Sequence, residues 1–326
     1  MRRRQFITLL CCAAAAPLAA RAQQGRLPVI GYFHAVSPEG QEANLAAFRK
    51  GLGEHGLVEG RNFAIEYRFA NNDYSRLPEL AADLVHREVA VILALGGAVV
   101  TRAAKAATPK IPIVFVQAQD PIAMGLVASL NRPGGNVTGI AFLAAELGPK
   151  RLGLLRDLVP AASHYALLVN PNDPATESVT ADLRAAAASI GRGIEVFAAG
   201  SPREIDSAFA ELVQKGSDAL VVGASSLLAN RGVQIATLAA IHRLPAIYYT
   251  RNSVEVGGLM SYGANIPDAI HQSATYVARI LKGEKPADLP VVQAAKFEFV
   301  LNMQTARSLG LDVPAGLLAI ADAVIE

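Results

Sequence analysis

At 326 residues, 52% of them hydrophobic, the chain exceeds what one core usually serves, so two domains are expected. With 30 basic and 28 acidic residues there is no basic surplus of the kind that marks a nucleic-acid binder. After the N-terminal segment no apolar run reaches membrane-helix length without a charge or glycine break.

The chain opens with Arg2-Arg3-Arg4-Gln5-Phe6-Ile7, followed by an apolar, alanine-rich stretch over 8–20. That stretch has the length of a signal-peptide core and is too short to span a bilayer. Ala20-Arg21-Ala22 offers small residues where a signal peptidase reads, so residues 1–22 are expected to be cleaved off before Gln23. The arginines also resemble a twin-arginine export signal, and the Sec and twin-arginine routes both stay open. The destination expected is a Gram-negative periplasm. Both cysteines, Cys11 and Cys12, fall inside this segment. Their neighbours lack the small residue that a lipid-attachment site wants before its cysteine. The mature chain then has neither disulfide nor thiol nucleophile. Losing Arg2, Arg3, Arg4 and Arg21 leaves 26 basic against 28 acidic residues, a balance of −2.

The mature chain reads as alternating strands and helices. Short β-branched runs at 29–33, 64–67, 89–95 and 113–116 are separated by amphipathic stretches at 41–55, 77–87 and 99–107. This is the rhythm of a parallel sheet with helices on both faces. The stretch 121–132, opened by Asp120-Pro121 and closed by Arg132-Pro133-Gly134-Gly135, reads as a further helix and turn before a strand at 137–142. The rhythm then restarts, with strands at 165–169, 194–197, 219–222 and 246–249 and helices at 174–190, 202–215 and 231–243. Ser201-Pro202 and Asn172-Asp173-Pro174 place capping residues before a proline at helix starts. Beyond them come a glycine-bounded strand near 257–263, a long helix at 267–282, strands at 289–292 and 297–302, and a last helix at 314–326. The fold class expected is α/β: two doubly wound parallel-sheet lobes with a ligand cleft between them.

Chemistry-bearing motifs are scarce. The six histidines are scattered without metal-ligand spacing, and no G-x-S-x-G elbow or phosphate loop occurs. Neither a metal, a cofactor nor catalysis is therefore expected. Position then selects the candidates, because ligands of open parallel sheets sit beyond the carboxyl ends of the strands. In the first half those loops carry His34, Ser37, Gly96, Gly97, Gln117 and Asp120. In the second half they carry Asn170, Ser225, Ser226 and Tyr249. Gly96-Gly97 is either a tight turn or a helix N-terminus facing an anion. Asp120 either meets a ligand ammonium or caps the helix after it. Asn170 either binds or forms a turn. Ser225 and Ser226 either donate to a carboxylate or cap a short turn. These neutral, hydrogen-bonding sets describe a clamp better than a reactor.

Several segments together resemble one family. They are Asp120-Pro121, the run Leu130-Asn131-Arg132-Pro133-Gly134-Gly135-Asn136-Val137-Thr138-Gly139, Gly257-Gly258-Leu259-Met260-Ser261-Tyr262-Gly263, and Lys296-Phe297-Glu298-Phe299-Val300. The chain is similar in these to ABC transporter substrate-binding proteins that include tryptophan- and phenylalanine-binding members. The resemblance covers essentially the whole mature chain. It implies a type I periplasmic binding protein: two α/β lobes, three connecting segments and a ligand in the cleft. On that basis lobe 1 would hold 28–141 plus 262–286, and lobe 2 would hold 142–261 plus 287–326. The crossings would fall at 137–142, at Tyr262-Gly263 and near 286–289. Tyr32, Phe33, Tyr249 and Tyr262 would be the aromatics nearest the cleft. The implied function is capture of an amino acid or aromatic acid for an ABC permease in the inner membrane, by a monomer that binds no nucleic acid. A sensor that presents its bound state to a membrane receptor is the alternative.

Overall fold

The computed structural model describes residues 27–326 apart from Leu143, Pro174 and Ala295. The leader expected at 1–22, with Cys11 and Cys12, lies outside the described residues. The first part of the chain lays down β1 (Val29–His34), α1 (Glu42–Glu54), β2 (Ala64–Phe69), α2 (Leu77–His86), β3 (Val91–Leu95), α3 (Ala98–Ala107), β4 (Ile113–Gln117) and β5 (Val137–Ala141). The second continues with α4 (Gly148–Leu158), β6 (His164–Val169), α5 (Thr176–Ser189), β7 (Gly193–Ala198), α6 (Pro202–Gln214), β8 (Ala219–Val222), α7 (Ser226–Asn230), α8 (Gly232–Ile241) and β9 (Ala246–Tyr248). The rest is α9 (Arg251–Glu255), β10 (Met260–Ala264), α10 (Ile266–Leu281), β11 (Val292–Gln293), β12 (Phe297–Asn302), α11 (Met303–Ser308), α12 (Ala315–Ile320) and β13 (Ala323–Ile325).

The strands form two sheets, ordered β11-β5-β4-β3-β1-β2 and β13-β12-β10-β9-β8-β6-β7. Neighbours are parallel except β10 and β12, which run antiparallel. The α/β, two-lobed class expected from the sequence is the class observed. Strands β3, β4 and β5 are buried at every position, as parallel strands covered on both faces must be. β2 and β7 lie at the rims and stay partly exposed. Each sheet carries a core on either face. In the first, Tyr32, Phe48, Leu93 and Ile270 fill one side and Phe33, Leu84, Ile92 and Phe115 the other. In the second, Leu155, Leu167 and Leu183 oppose Leu168, Phe209 and Tyr248.

Three segments pass between the sheets. After β5, the Phe142 and Ala144 amides donate to the Gln117 and Ala118 carbonyls, so the chain leaves the first sheet only beyond Ala144. The second passage lies at Asn265, between β10 in the second sheet and α10, which packs on the first. Its side chain caps α10 by accepting from the Asp268 amide at 2.9 Å. The third passage falls between Gln293 and Phe297, not at 286–289. The reason is that 289–294 stays zipped to the first sheet's edge. Thr138 Oγ1 donates to the Leu289 carbonyl at 2.6 Å, Val292 and Gln293 pair with Ile140 and Ala141, and the Ala294 amide donates to Ala141. The Asn265 amide donates to the Lys296 carbonyl, tying the second passage to the third.

Other expectations need correction. The stretch 121–132 forms turns rather than a helix. One turn closes when the Leu126 amide returns to the Pro121 carbonyl, and Gly125 at φ 67° leads the chain out of it, a conformation most side chains resist. The tail helix stops at Ile320. Asp322 then exchanges bonds with Phe299, through its own amide and through Oδ2, and sets β13 beside β12. Helix α4 escaped the sequence reading. Gly148 and Gly153 are weak helix formers, and its buried set includes a charged residue, Arg151.

Candidate functional site

Chain order reverses around β1 in the first sheet and around β6 in the second. The loops after β1 and β3, and after β6 and β8, are therefore the places where a cleft opens at the strands' carboxyl ends. Between the two sheets these loops enclose a cavity of about 140 Å³, roughly ten times what a single water needs. The first lobe supplies His34, Gly96, Gly97, Gln117 and Gln119, together with Gln41 and Asn44 from α1 and Ile266 and Ile270 from α10. The second supplies Ser225, Ser226, Asn230, Tyr249, Thr250 and Asn252, while Phe142, just beyond β5, adds to the first lobe's share.

The side chains are held by bonds among themselves. His34 Nδ1 accepts from the Val36 amide at 3.2 Å, so its proton sits on Nε2. Burial pushes its pKa down to about 3, with a Gln41 hydrogen bond pulling weakly the other way, and the ring is neutral at physiological pH. Gln117 is committed to Thr101 at 3.2 Å and to the Gln119 carbonyl at 3.2 Å. Gln119 Oε1 accepts from the Ala98 amide at the start of α3 at 3.3 Å. The Tyr249 hydroxyl donates to the Ser225 carbonyl at 2.9 Å, and burial raises its pKa.

The lobes touch across the mouth. Ser226 Oγ donates to the Gly96 carbonyl at 2.8 Å, Asn230 Nδ2 to Asn72 Oδ1 at 2.7 Å, and Gln119 Nε2 to Asp173 Oδ2 at 3.4 Å. This is a closed arrangement. Behind the cavity, on α4, Arg151 is 0% exposed. Its guanidinium donates to the Ala144 carbonyl at 3.0 Å and to the Tyr262 carbonyl at 3.4 Å, and Nε has no partner. Burial lowers its pKa to about 10, which leaves it charged at neutral pH.

The cavity wall brings together His34, Gly96, Gly97, Gln117, Ser225, Ser226 and Tyr249 from the sequence candidates. It leaves out four. Ser37 turns to the Glu39 carboxylate, whose pKa that hydrogen bond lowers. Asp120 is exposed and caps the following turn, Oδ1 accepting from Ile122 at 2.8 Å and Ala123 at 3.3 Å. Asn170 lies behind Ser225 and donates to its hydroxyl at 3.2 Å. Tyr262 packs against Phe297, with ring centroids 6.3 Å apart. Tyr32 and Phe33 are also not cleft aromatics: both are 0% exposed, on opposite faces of the first sheet. The residues that strand-end reasoning missed sit on flanking helices. Gln41, Asn44, Ile266 and Ile270 look over the strand ends from α1 and α10, and only polar residues breaking the helices' apolar pattern, such as Asn44, signalled it.

Known proteins resemble the chain along most of its length. The sequence profile described as "ABC transporter substrate binding protein" matches residues 29–325. A relative described as a tyrosine-binding protein of Clostridioides difficile is 26% identical over 265 residues, covering 81% of this chain and 75% of its own. Among solved structures, an ABC domain from Streptococcus pneumoniae in complex with L-Trp superposes with a TM-score of 0.84 at 25% identity, covering 92% of this chain and 100% of that one. The ligand-free, open structure of a substrate-binding protein with adhesive properties from Clostridium difficile gives 0.67 at 25% identity, covering 92% and 99%.

Proposed function

The chain belongs to the family of ABC transporter substrate-binding proteins, and from that premise we propose that it captures an aromatic amino acid or aromatic acid by lobe closure and delivers it to an importer. In this reading the leader takes the protein to the periplasm, where it works as a monomer beside a permease of the inner membrane. The guest leaves chemically unchanged.

One observation carries the proposal: a cavity walled by both lobes, lined by neutral hydrogen-bonding groups and an apolar patch, and shut by hydrogen bonds between the lobes. A solute that touches both walls binds the closed form better than the open one, and only that difference moves the equilibrium. Micromolar affinity corresponds to about −8 kcal/mol, within reach of one enclosed ring and a few buried hydrogen bonds after ordering costs. Two comparisons support the closed reading. At the same identity and coverage the chain overlays better on the L-Trp complex than on the ligand-free, open structure, 0.84 against 0.67. The L-Trp and tyrosine relatives favour an aromatic guest.

The test is a thermal-shift screen of the mature protein against aromatic amino acids, aromatic acids, aliphatic amino acids and sugars, with hits confirmed by calorimetric titration. Stabilisation by an aromatic compound is expected. A response to sugars alone would overturn the ligand class, and no response to any solute would remove the capture role.

A further inference from the structure

We infer that the cavity reads a carboxylate and not an ammonium: its guest is a monocarboxylate, with or without an α-amino group, whose charge is met by the buried guanidinium of Arg151. The inference rests on the capture reading of this same cavity and narrows its ligand class.

The wall is one-sided in charge. Among the described residues it holds no carboxylate and no ammonium or guanidinium, and its imidazole, His34, stays neutral. An ammonium drawn into it would lose its water with no counter-charge to replace it. Asp173, which accepts from the wall's Gln119, lines an adjoining hollow instead. Its Oδ1 accepts from the Ala175 amide at 3.0 Å and its Oδ2 faces Gln119. Asp120 is exposed and occupied with its own turn.

The positive side of the ledger is built in. Arg151 is fully buried, no acid among the described side chains pairs with it, and Nε has no partner. Two carbonyls satisfy part of its hydrogen bonding but bring no net charge. It stands one residue behind the wall. The carbonyl of Ala144 takes its Nη2 proton, while the amide of the same residue donates to Ala118, which lines the cavity. Its charge also bears on the Tyr249 hydroxyl at the cavity surface. In so dry a setting a unit charge acts over several ångströms with little screening. The N-terminus of α3, beside Gly97, adds the positive end of its dipole at the wall. A carboxylate entering here finds a compensating charge, whereas a cation finds none.

Calorimetric titration of the mature protein decides this on two scaffolds. The probes are 3-(4-hydroxyphenyl)propionate, its amide, L-tyrosine and tyramine, then indole-3-propionate, its amide, L-tryptophan and tryptamine. On the scaffold that fits, the acid is expected to bind at least as tightly as the amino acid, with amide and amine at least about tenfold weaker than the acid. Tight binding of the amino acid with the desamino acid at least about tenfold weaker would overturn the inference and leave aromatic capture standing. Amide or amine binding as well as the acid would do the same. Silence from all eight compounds would remove both.

The source of the charge is read separately. In Arg151→Met the acid-to-amide ratio is expected to fall towards one, and in Arg151→Lys to be kept. A folded Arg151→Met that keeps the ratio overturns the role of Arg151. Circular dichroism establishes folding, and the wild-type series decides the ligand class even where that variant does not fold.

Discussion

Replacing His34 by glutamine probes the cavity wall without any ligand. Burial drives the imidazole from 6.5 to about 3, so the folded protein refuses a proton that the unfolded chain accepts. Because the folded value lies below the unfolded one, the stability linked to this group is complete above about pH 6.5 and drains away as the pH falls towards 3. At pH 5 nearly every unfolded chain carries the proton and almost no folded one does, which costs about 2 kcal/mol relative to pH 7. Glutamine keeps a donor and an acceptor in the wall but cannot titrate. Urea unfolding of wild type and His34→Gln at both pH values gives four free energies. The packing cost of the substitution is common to both pH values and drops out of the difference. Wild type is expected to lose about 2 kcal/mol more than the variant between pH 7 and pH 5. A wild-type-minus-variant difference that stays constant within about 0.5 kcal/mol would refute the buried, neutral histidine.

Three further outcomes are expected. A methyl group on Gly263 would overlap the Tyr249 carbonyl oxygen and stand 2.9 Å from its carbonyl carbon, so Gly263→Ala should cost at least about 2 kcal/mol by chemical denaturation, and a loss under about 0.5 kcal/mol would contradict the close approach of β10 to the cavity strand. Asn72 sits at φ 64°, which glycine adopts freely, so Asn72→Gly removes the Asn230 contact without backbone strain. About 0.5–1 kcal/mol less closed-state stability should weaken a confirmed ligand two- to fivefold by titration, and unchanged affinity would deny the contact a part in closure. Burial raises the Asp173 carboxyl, so its linked stability is complete below the unfolded value, about pH 3.9, and is lost as the pH rises through the folded value. Asp173→Asn should therefore raise the melting temperature at pH 7 but not at pH 3 in scanning calorimetry, and an equal change at both would sink the assignment.

The doubly wound rhythm was legible because β3 and β4 are buried on both faces, and such strands write continuous apolar runs. The strand-end loops were legible for the same reason, and they hold His34, Gly97 and Ser226. What stayed hidden depends on contacts made at a distance. Asp120 and Asn170 have the right chemistry in the right loops, yet local bonds consume them: two turn amides for one, the Ser225 hydroxyl for the other. The sequence reading did not single out Arg151, and only the fold reveals that α4 buries it. The third crossing was misplaced because the edge pairing of Val292 and Gln293 with β5 is only two residues long.

The cavity is unequally shared. Of its 21 lining residues 14 belong to the first lobe and seven to the second. If the two bodies part as the capture reading requires, an arriving solute meets most of its resting place on one of them before the other swings over. Substitutions on the larger share should alter how fast a guest is taken up, and those on the smaller share how long it stays. On the capture reading, closure can be retuned through Ser226 or Asn230 while the larger surface is left intact.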